Sequence, residues 1–215
     1  MAFDLEEQEK IDQVRAWWDR FGGLVTGLLT AILLVLVAYY AWGWYKNYQA
    51  EKALGYYETI YTTTKSSRPT DSDKVRIQEA LSVLQNDYTS TAYPARASLI
   101  AANYFVSKND LDAAQKAMQW VVTNGKEPEI VPVAQLQLSA ILMDQGKLDE
   151  ALSYVSGSVP ESFKALFLDR QGDIQMAKGQ KEEAVKSWKT ALNEKGLEPS
   201  FSTFMQNKIK VLGGE

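Results

Sequence analysis

The chain has 215 residues, 46% of them hydrophobic, which suffices for one folded domain of ordinary size and an additional segment. It contains no cysteine and no histidine, which excludes histidine-dependent triads, cysteine nucleophiles, disulfides and zinc sites built on thiolate or imidazole. The formal net charge is −4, and residues 46–215 carry 20 basic and 21 acidic groups, so nucleic acid is not an expected partner.

A charged segment, residues 1–20, precedes an uncharged run of 25 residues, 21–45. At about 1.5 Å per residue a helix of this length crosses a bilayer core of roughly 30 Å. Trp17 and Trp18 precede the run, and Trp42 and Trp44 lie near its far end, where membrane proteins place amphipathic rings at the interface. The pattern predicts a single transmembrane helix at residues 21–45, in contact with the lipid bilayer.

The alternative interpretation of this run is a cleaved signal peptide, because Ala41-Trp42-Gly43 has a small-x-small pattern. The acid-rich segment before the run and the length of the run favour a membrane span. Basic residues are balanced on the two sides, so charge alone leaves the orientation open. A short cytoplasmic N-terminus and a large domain outside is the commoner arrangement for such an anchor.

Three small residues, Gly23, Gly27 and Ala31, repeat every four positions within the run and share one helix face. Such a face allows close approach of a second transmembrane helix. It is a candidate packing site, although small residues are also frequent in membrane helices that have no partner.

Residues 46–93 are predicted to form a helical connector and divergent lead-in helices. The connector runs from Lys46 to about Thr64, and a polar break follows. Thr70 or Asp71 is suited to cap the next helix, expected over about residues 74–85.

Residues 94–199 are predicted to form three degenerate tetratricopeptide-like repeats, since four kinds of position recur at intervals of 37 and then 33 residues. These intervals bracket the 34-residue tetratricopeptide period. The recurring positions are a small residue in the first helix (Ala102, Ser139, Gly172), a turn residue (Asn109, Gly146, Gly179), an alanine in the second helix (Ala114, Ala151, Ala184) and a larger residue after it (Met118, Val155, Trp188). Residues 200–215 are expected to form a C-terminal capping helix, from Ser200 to Leu212.

The fold class is therefore all-α, with one N-terminal transmembrane helix followed by an α-solenoid of tetratricopeptide-like hairpins. First helices line a concave groove in such arrays, so the register predicts which residues face it. The candidate groove residues are Arg96, Leu99, Asn103, Val106, Val133, Leu136, Ala140, Met143, Leu166, Asp169, Asp173 and Met176. Their apolar, methionine-containing mixture suits apolar segments of polypeptide, although several of them are equally compatible with the core.

The sequence indicates no enzyme, no cofactor and no metal site. The acid pairs Asp110/Asp112, Asp149/Glu150 and Glu182/Glu183 all fall where the second helix of a repeat begins, and acids are favourable there without any catalytic role. The chain also lacks the spacing of a phosphate-binding glycine loop or a Ca²⁺ loop.

The chain resembles the YfgM-type ancillary subunits of the bacterial SecYEG translocon in the order of its segments: EEQEKIDQVRAWWDRFG, then WGWYKNYQAEKA, the hairpins NDLDAAQKAM and GKLDEALSYV, and MQNKI. The resemblance implies an inner-membrane protein with a cytoplasmic N-terminus and a periplasmic domain. It also implies association with SecYEG and with a membrane-anchored prolyl-isomerase-like chaperone, and assistance to exported polypeptides on their way to periplasmic chaperones. The alternative is a membrane-anchored scaffold or regulator of another envelope complex that does not contact unfolded clients.

Overall fold

The computed structural model describes residues 2–66 and 70–213, and every regular element within them is helical. The chain divides into two compact units, Met1–Gln49 and Ala50–Glu215. The helices are α1 (Ala2–Thr64), α2 (Asp71–Asp87), α3 (Tyr93–Ser107), α4 (Leu111–Asn124), α5 (Ile130–Asp144), α6 (Leu148–Val155), α7 (Lys164–Ala177), α8 (Lys181–Leu192) and α9 (Pro199–Val211), with a 3₁₀ turn at Glu161–Phe163 before α7.

The first unit is the part of α1 that ends at Gln49, and it contains the uncharged run. The helix is long and apolar enough to cross a membrane. Its apolar side chains are exposed, for example Leu28 (63%) and Val35 (68%), as lipid-facing residues are. Ala41-Trp42-Gly43 lies within the same continuous helix. We describe this run as a candidate membrane span.

The second unit begins with the last part of α1, in which Ala53 and Ile60 are fully buried. Thr70 then caps α2: its amide donates to Asp73 Oδ2 at 2.8 Å, and its hydroxyl donates to Asp73 Oδ1 at 2.8 Å. The helix expected over about residues 74–85 therefore starts earlier, at Asp71, because this cap ends the polar break there.

Three helical hairpins follow, α3/α4, α5/α6 and α7/α8, and they confirm the predicted register. The small residues of the first helices, Ala102, Ser139 and Gly172, are buried. The alanines of the second helices, Ala114, Ala151 and Ala184, are fully buried. The larger residues, Met118, Val155 and Trp188, are at most 3% exposed. Each hairpin thus buries both the small and the large residues of the repeat pattern.

The turn within each hairpin has the same backbone geometry. Asn109, Gly146 and Gly179 adopt φ angles of 56°, 75° and 80°. The amide that follows each of them donates to the carbonyl five residues before it, at 2.8 Å for Asp110, 2.8 Å for Lys147 and 2.9 Å for Gln180. This left-handed helix ending favours glycine and tolerates asparagine, which explains the residue types at these positions.

The first helices contact one another across the repeats, α3 with α5 and α5 with α7. They form a continuous layer, which in tetratricopeptide arrays is the layer that lines the groove. Helix α9 packs on α8, and its Met205 and Ile209 are buried. It starts at Pro199 rather than Ser200, because proline is well suited to the first turn of a helix.

Candidate partner-binding surface

The twelve candidate groove residues lie four each on α3, α5 and α7, and none of them is buried. Val106 and Leu166 are the most exposed of their apolar members, at 38% and 41%. We call the surface formed by these twelve residues the first-helix surface. Four of the twelve are exposed and eight are half-buried, so the surface is accessible in part, and the role of these residues in binding stays a prediction.

The α3 part of the first-helix surface carries a cation that is already paired. Arg96 Nη2 lies 2.9 Å from Glu127 Oε2, in the segment between α4 and α5. Asn103, also on α3, lines a pocket of about 350 Å³ together with Tyr61 and Tyr104. This part of the surface therefore combines the apolar Leu99 and Val106 with a paired cation and an amide.

The α5 part is apolar. Val133, Leu136, Ala140 and Met143 are all half-buried. The guanidinium of Arg170, on α7, approaches the sulfur of Met143 at 4.0 Å. The flexible methionine and small alanine give this part a surface that adapts to apolar side chains.

The α7 part holds an ion cluster that joins it to α9. Lys208 Nζ lies 2.8 Å from Asp169 Oδ1 and 2.6 Å from Asp173 Oδ1. The ammonium also lies over the ring of Phe204, at 4.5 Å from the centroid, and 5.4 Å from that of Trp188. Helix α9 thus contributes side chains to the end of the first-helix surface and does more than cover α8.

Two residues of this cluster, Phe204 and Lys208, were missed in the sequence, where α9 was interpreted only as a cap. The repeat period contains a signal for the place of α9, though not for the identity of these two side chains. A step of about 34 residues from Asp173 reaches Asn207, next to Lys208, so α9 occupies the position of a further first helix.

Burial raises the pKa of Asp169 above its ordinary value of 3.8, and the adjacent charge of Asp173 acts in the same direction. The hydrogen bond from Lys208 lowers the pKa but does not cancel these effects. The two carboxylates therefore share one ammonium and are incompletely compensated.

The acid pairs have structural roles. Asp110 accepts a hydrogen bond from the amide of Ala113 at the start of α4. It also forms an ion pair of 2.5 Å with Lys74, and the hydrogen bond from Lys74 lowers the pKa of Asp110. Asp112 accepts a hydrogen bond of 3.1 Å from Nε2 of Gln145, in the turn between α5 and α6. Asp149 pairs in the same way with Lys178, at 2.6 Å. Asp112 and Asp149 thus link consecutive hairpins.

The third acid pair, Glu182 and Glu183, lies in the exposed first turn of α8. Asp110, in the first acid pair, has a lowered pKa, and such a carboxylate is poorly suited to act as a general acid near neutral pH.

In the first unit, Gly23, Gly27 and Ala31 are exposed on α1. A Cβ atom added at Gly23 or at Gly27 meets nothing within 4 Å. The small-residue face is therefore open to an approaching helix.

A family profile described as a tetratricopeptide repeat-like domain matches residues 15–214. The chain belongs to this family. The match begins before the candidate span and ends beyond α9, so it includes residues of both compact units.

The resemblance expected from the sequence is confirmed by relatives that bear the name "Ancillary SecYEG translocon subunit". The relative from Haemophilus influenzae is 29% identical over 194 residues, which is 89% of this chain and 91% of the relative. The relative from Neisseria gonorrhoeae is 27% identical over 215 residues, 99% of this chain and 100% of the relative. The relative from Escherichia coli is 24% identical over 209 residues, 96% of each chain.

Proposed function

We propose that this protein is an ancillary subunit of the SecYEG translocon. It binds partner proteins through its tetratricopeptide-like domain and helps to hand exported polypeptides to periplasmic chaperones. The observation that carries the proposal is the full-length similarity to proteins named as ancillary translocon subunits, which includes the candidate span as well as the helical array. It acts as a binding subunit and not as an enzyme.

We also propose its place in the cell: the bacterial inner membrane, with a cytoplasmic N-terminus, the span at residues 21–45 and a periplasmic domain. The small-residue face at Gly23, Gly27 and Ala31 packs against a transmembrane helix of the translocon or of a membrane-anchored prolyl-isomerase-like chaperone. The open space beside both glycines supports this role.

The first-helix surface is the proposed contact with exported polypeptides. Its support is the combination of exposed Val106 and Leu166 with half-buried Met143 and Met176. Such a surface binds many apolar sequences, because methionine repacks at little cost.

Site-specific photocrosslinking tests the proposal in living cells. A benzophenone side chain at position 166, in the first-helix surface, is expected to crosslink to exported polypeptides. The matched control is the same side chain at position 75, where valine is 52% exposed on α2. SecYEG is expected to co-purify with either variant.

Recovery of SecYEG without any crosslink to exported chains from position 166 would indicate a scaffold that does not contact clients. Recovery of a different envelope complex in place of SecYEG would refute the proposed function.

A further inference from the structure

An apolar pocket lies between α7, α8 and α9, at the end of the first-helix surface. Its volume is about 400 Å³, and its apolar wall is formed by Met176, Trp188, Phe204, Val211 and Leu212. We call it the C-terminal pocket. Clefts of this size hold small ligands or one to two large side chains.

Two side chains of the C-terminal pocket are unusually exposed for their type. Phe204 is 53% exposed and Val211 is 84% exposed, although α9 has a buried face at Met205 and Ile209 that already holds it on α8. The apolar packing of α9 on α8 therefore rests on Met205 and Ile209, while one contact of Phe204 is with the Lys208 ammonium. The exposed apolar surface of Phe204 and Val211 gains free energy only when something else covers it.

Two charged side chains line the pocket, Asp173 and Lys208, and Lys208 also pairs with Asp169, which is not part of the lining. Lys208 contacts one oxygen of Asp169 and one of Asp173, so this group of three residues carries two negative charges and one positive charge. Asp173 is the more exposed of the two acids, with 28% of its side chain accessible against 14% for Asp169. A carboxylate accepts several hydrogen bonds, so Asp173 can receive a second cation.

We propose that the C-terminal pocket binds a polypeptide segment in which a large apolar side chain lies next to a lysine or arginine. The apolar side chain enters the cavity against Trp188 and Phe204, and the cation pairs with Asp173. This rests on the proposed function, in which the first-helix surface contacts polypeptides, and it names the chemistry that one end of that surface selects.

The position of the pocket favours a polypeptide over a small molecule. Asp173 and Met176 belong both to the pocket and to the first-helix surface. A chain bound on the α7 part of the first-helix surface is therefore adjacent to the pocket.

Peptide binding to the full chain in discs of zwitterionic phosphatidylcholine tests the proposal, since such discs do not attract basic peptides electrostatically. Three fluorescent decapeptides share a glycine-serine frame and differ at a central Lys-Phe-Leu-Lys, Glu-Phe-Leu-Glu or Lys-Ser-Ser-Lys. We expect the first to bind, the second to bind about tenfold more weakly because like charges meet at Asp173, and the third not to bind. Empty discs supply the background.

Matched variants locate the binding. Val211→Ser and Phe204→Ser should each weaken binding of the Lys-Phe-Leu-Lys peptide about fivefold or more, because they remove apolar contact area. Val75→Ser, which changes an exposed valine on α2, should leave it unaltered. Asp173→Asn should reduce the preference for lysine over glutamate. Thermal unfolding of each variant shows whether its fold is intact.

Three results would overturn the proposal. Binding that survives Val211→Ser and Phe204→Ser but is lost in Leu136→Ser would place the segment elsewhere on the first-helix surface. Equal binding of the lysine and glutamate peptides would remove the charge selection. A dimer of the full chain that Val211→Ser dissociates would make a second copy the occupant. Co-purification of SecYEG with Phe204→Ser reports on the proposed function separately, so failure of the pocket and failure of that function are distinguishable.

Discussion

The backbone of Gly172 lies directly against the indole ring of Trp188. A Cβ atom added at Gly172 would lie 2.6 Å from Cδ1 and 2.7 Å from Cε2 of the indole, and closer still to Nε1. The indole N–H donates to the carbonyl of Asp169 at 3.2 Å, which holds the ring in this place. The third hairpin thus packs a glycine against a tryptophan, and the corresponding positions of the first hairpin hold Ala102 and Met118.

We expect Gly172→Ala to destabilise the domain by about 1–3 kcal/mol, because the indole must move to admit the methyl group. Trp188→Leu in the same chain should recover part of this loss, since the two residues share one space. Thermal unfolding of the full chain in detergent measures both. The control is Gly55→Ala on α1, where a Cβ meets nothing, and we expect it to stabilise by about 0.5–1 kcal/mol. Equal losses from both alanine variants would refute the contact.

Ala151→Trp and Ala184→Trp should each destabilise the domain strongly, at a cost of about 1–3 kcal/mol or more. Both alanines are fully buried between paired helices, so an indole forces the hairpin apart. Ser153→Trp on the exposed side of α6 is the matched control and should change the unfolding temperature little. Unchanged unfolding of either buried variant would contradict the repeat register.

Asp110 and Asp169 should give stability changes of opposite sign with pH. The hydrogen bond to Lys74 lowers the pKa of Asp110, so its stabilising effect is present above the unfolded-state pKa, near 3.8, and is lost as pH falls through the lower folded value. Burial raises the pKa of Asp169, so the folded state gains stability relative to the unfolded state as pH falls through its raised folded value towards 3.8.

Unfolding of wild type, Asp110→Asn and Asp169→Asn between about pH 3 and 8 measures this difference, since asparagine does not titrate. The advantage of wild type over Asp110→Asn should shrink at the acid end. The advantage over Asp169→Asn should grow as pH falls. Parallel curves for the two comparisons would show that the surroundings of these acids are not as described.

Replacing both Gly23 and Gly27 with Leu should reduce the recovery of membrane partners and leave insertion and the soluble fold intact. Leucine is at least as favourable as glycine in hydrocarbon, so the helix still inserts. Larger side chains keep a second helix at a distance, and close packing supplies much of the association energy in lipid. The measurement is co-purification of SecYEG and chaperone subunits. A variant with Leu29→Val and Leu33→Val is the control, and equal recovery from both would assign the association to the helical domain.

The run at residues 21–45 should hold the protein in the membrane after an alkaline carbonate wash, with the N-terminal methionine retained. Protease added to spheroplasts should degrade the chain beyond about residue 46. A mature N-terminus at Trp44 would show that the run is a cleaved signal, and protection of the domain without lysis would reverse the proposed orientation.

The repeat positions could be predicted from the sequence because steric fit restricts them. A buried helix contact accepts only a small residue such as Ala151, and a left-handed turn accepts Gly146 or Asn109 far better than a branched side chain. Such restrictions recur together, all at the same intervals of 37 and then 33 residues, so three copies make them visible. The start of α2 was placed too late, because the capping box of Thr70 and Asp73 lies before the first apolar residues of the helix.

The ion cluster at the end of the first-helix surface could not be predicted in the same way. Lys208 follows Asp169 by 39 residues and Asp173 by 35, and the earlier repeats show no acid at the positions equivalent to Asp173. A contact that occurs once leaves no period. Its partners are selected by the packing of α9 on α8, which the apolar pattern of α9 indicates only in outline.

The links between consecutive hairpins have a consequence for the order in which the protein folds. Asp112 contacts Gln145 in the turn of the following hairpin, and Asp149 contacts Lys178 in the turn of the hairpin after that. The packing partners of each hairpin therefore lie close to it along the chain. Chains with such local contacts fold fast, and nascent chains acquire structure from the N-terminal side. Each hairpin of this protein can therefore pack against the hairpin that was synthesised before it. Lys208, which reaches back to Asp169 and Asp173, arrives last and closes an array that is already assembled.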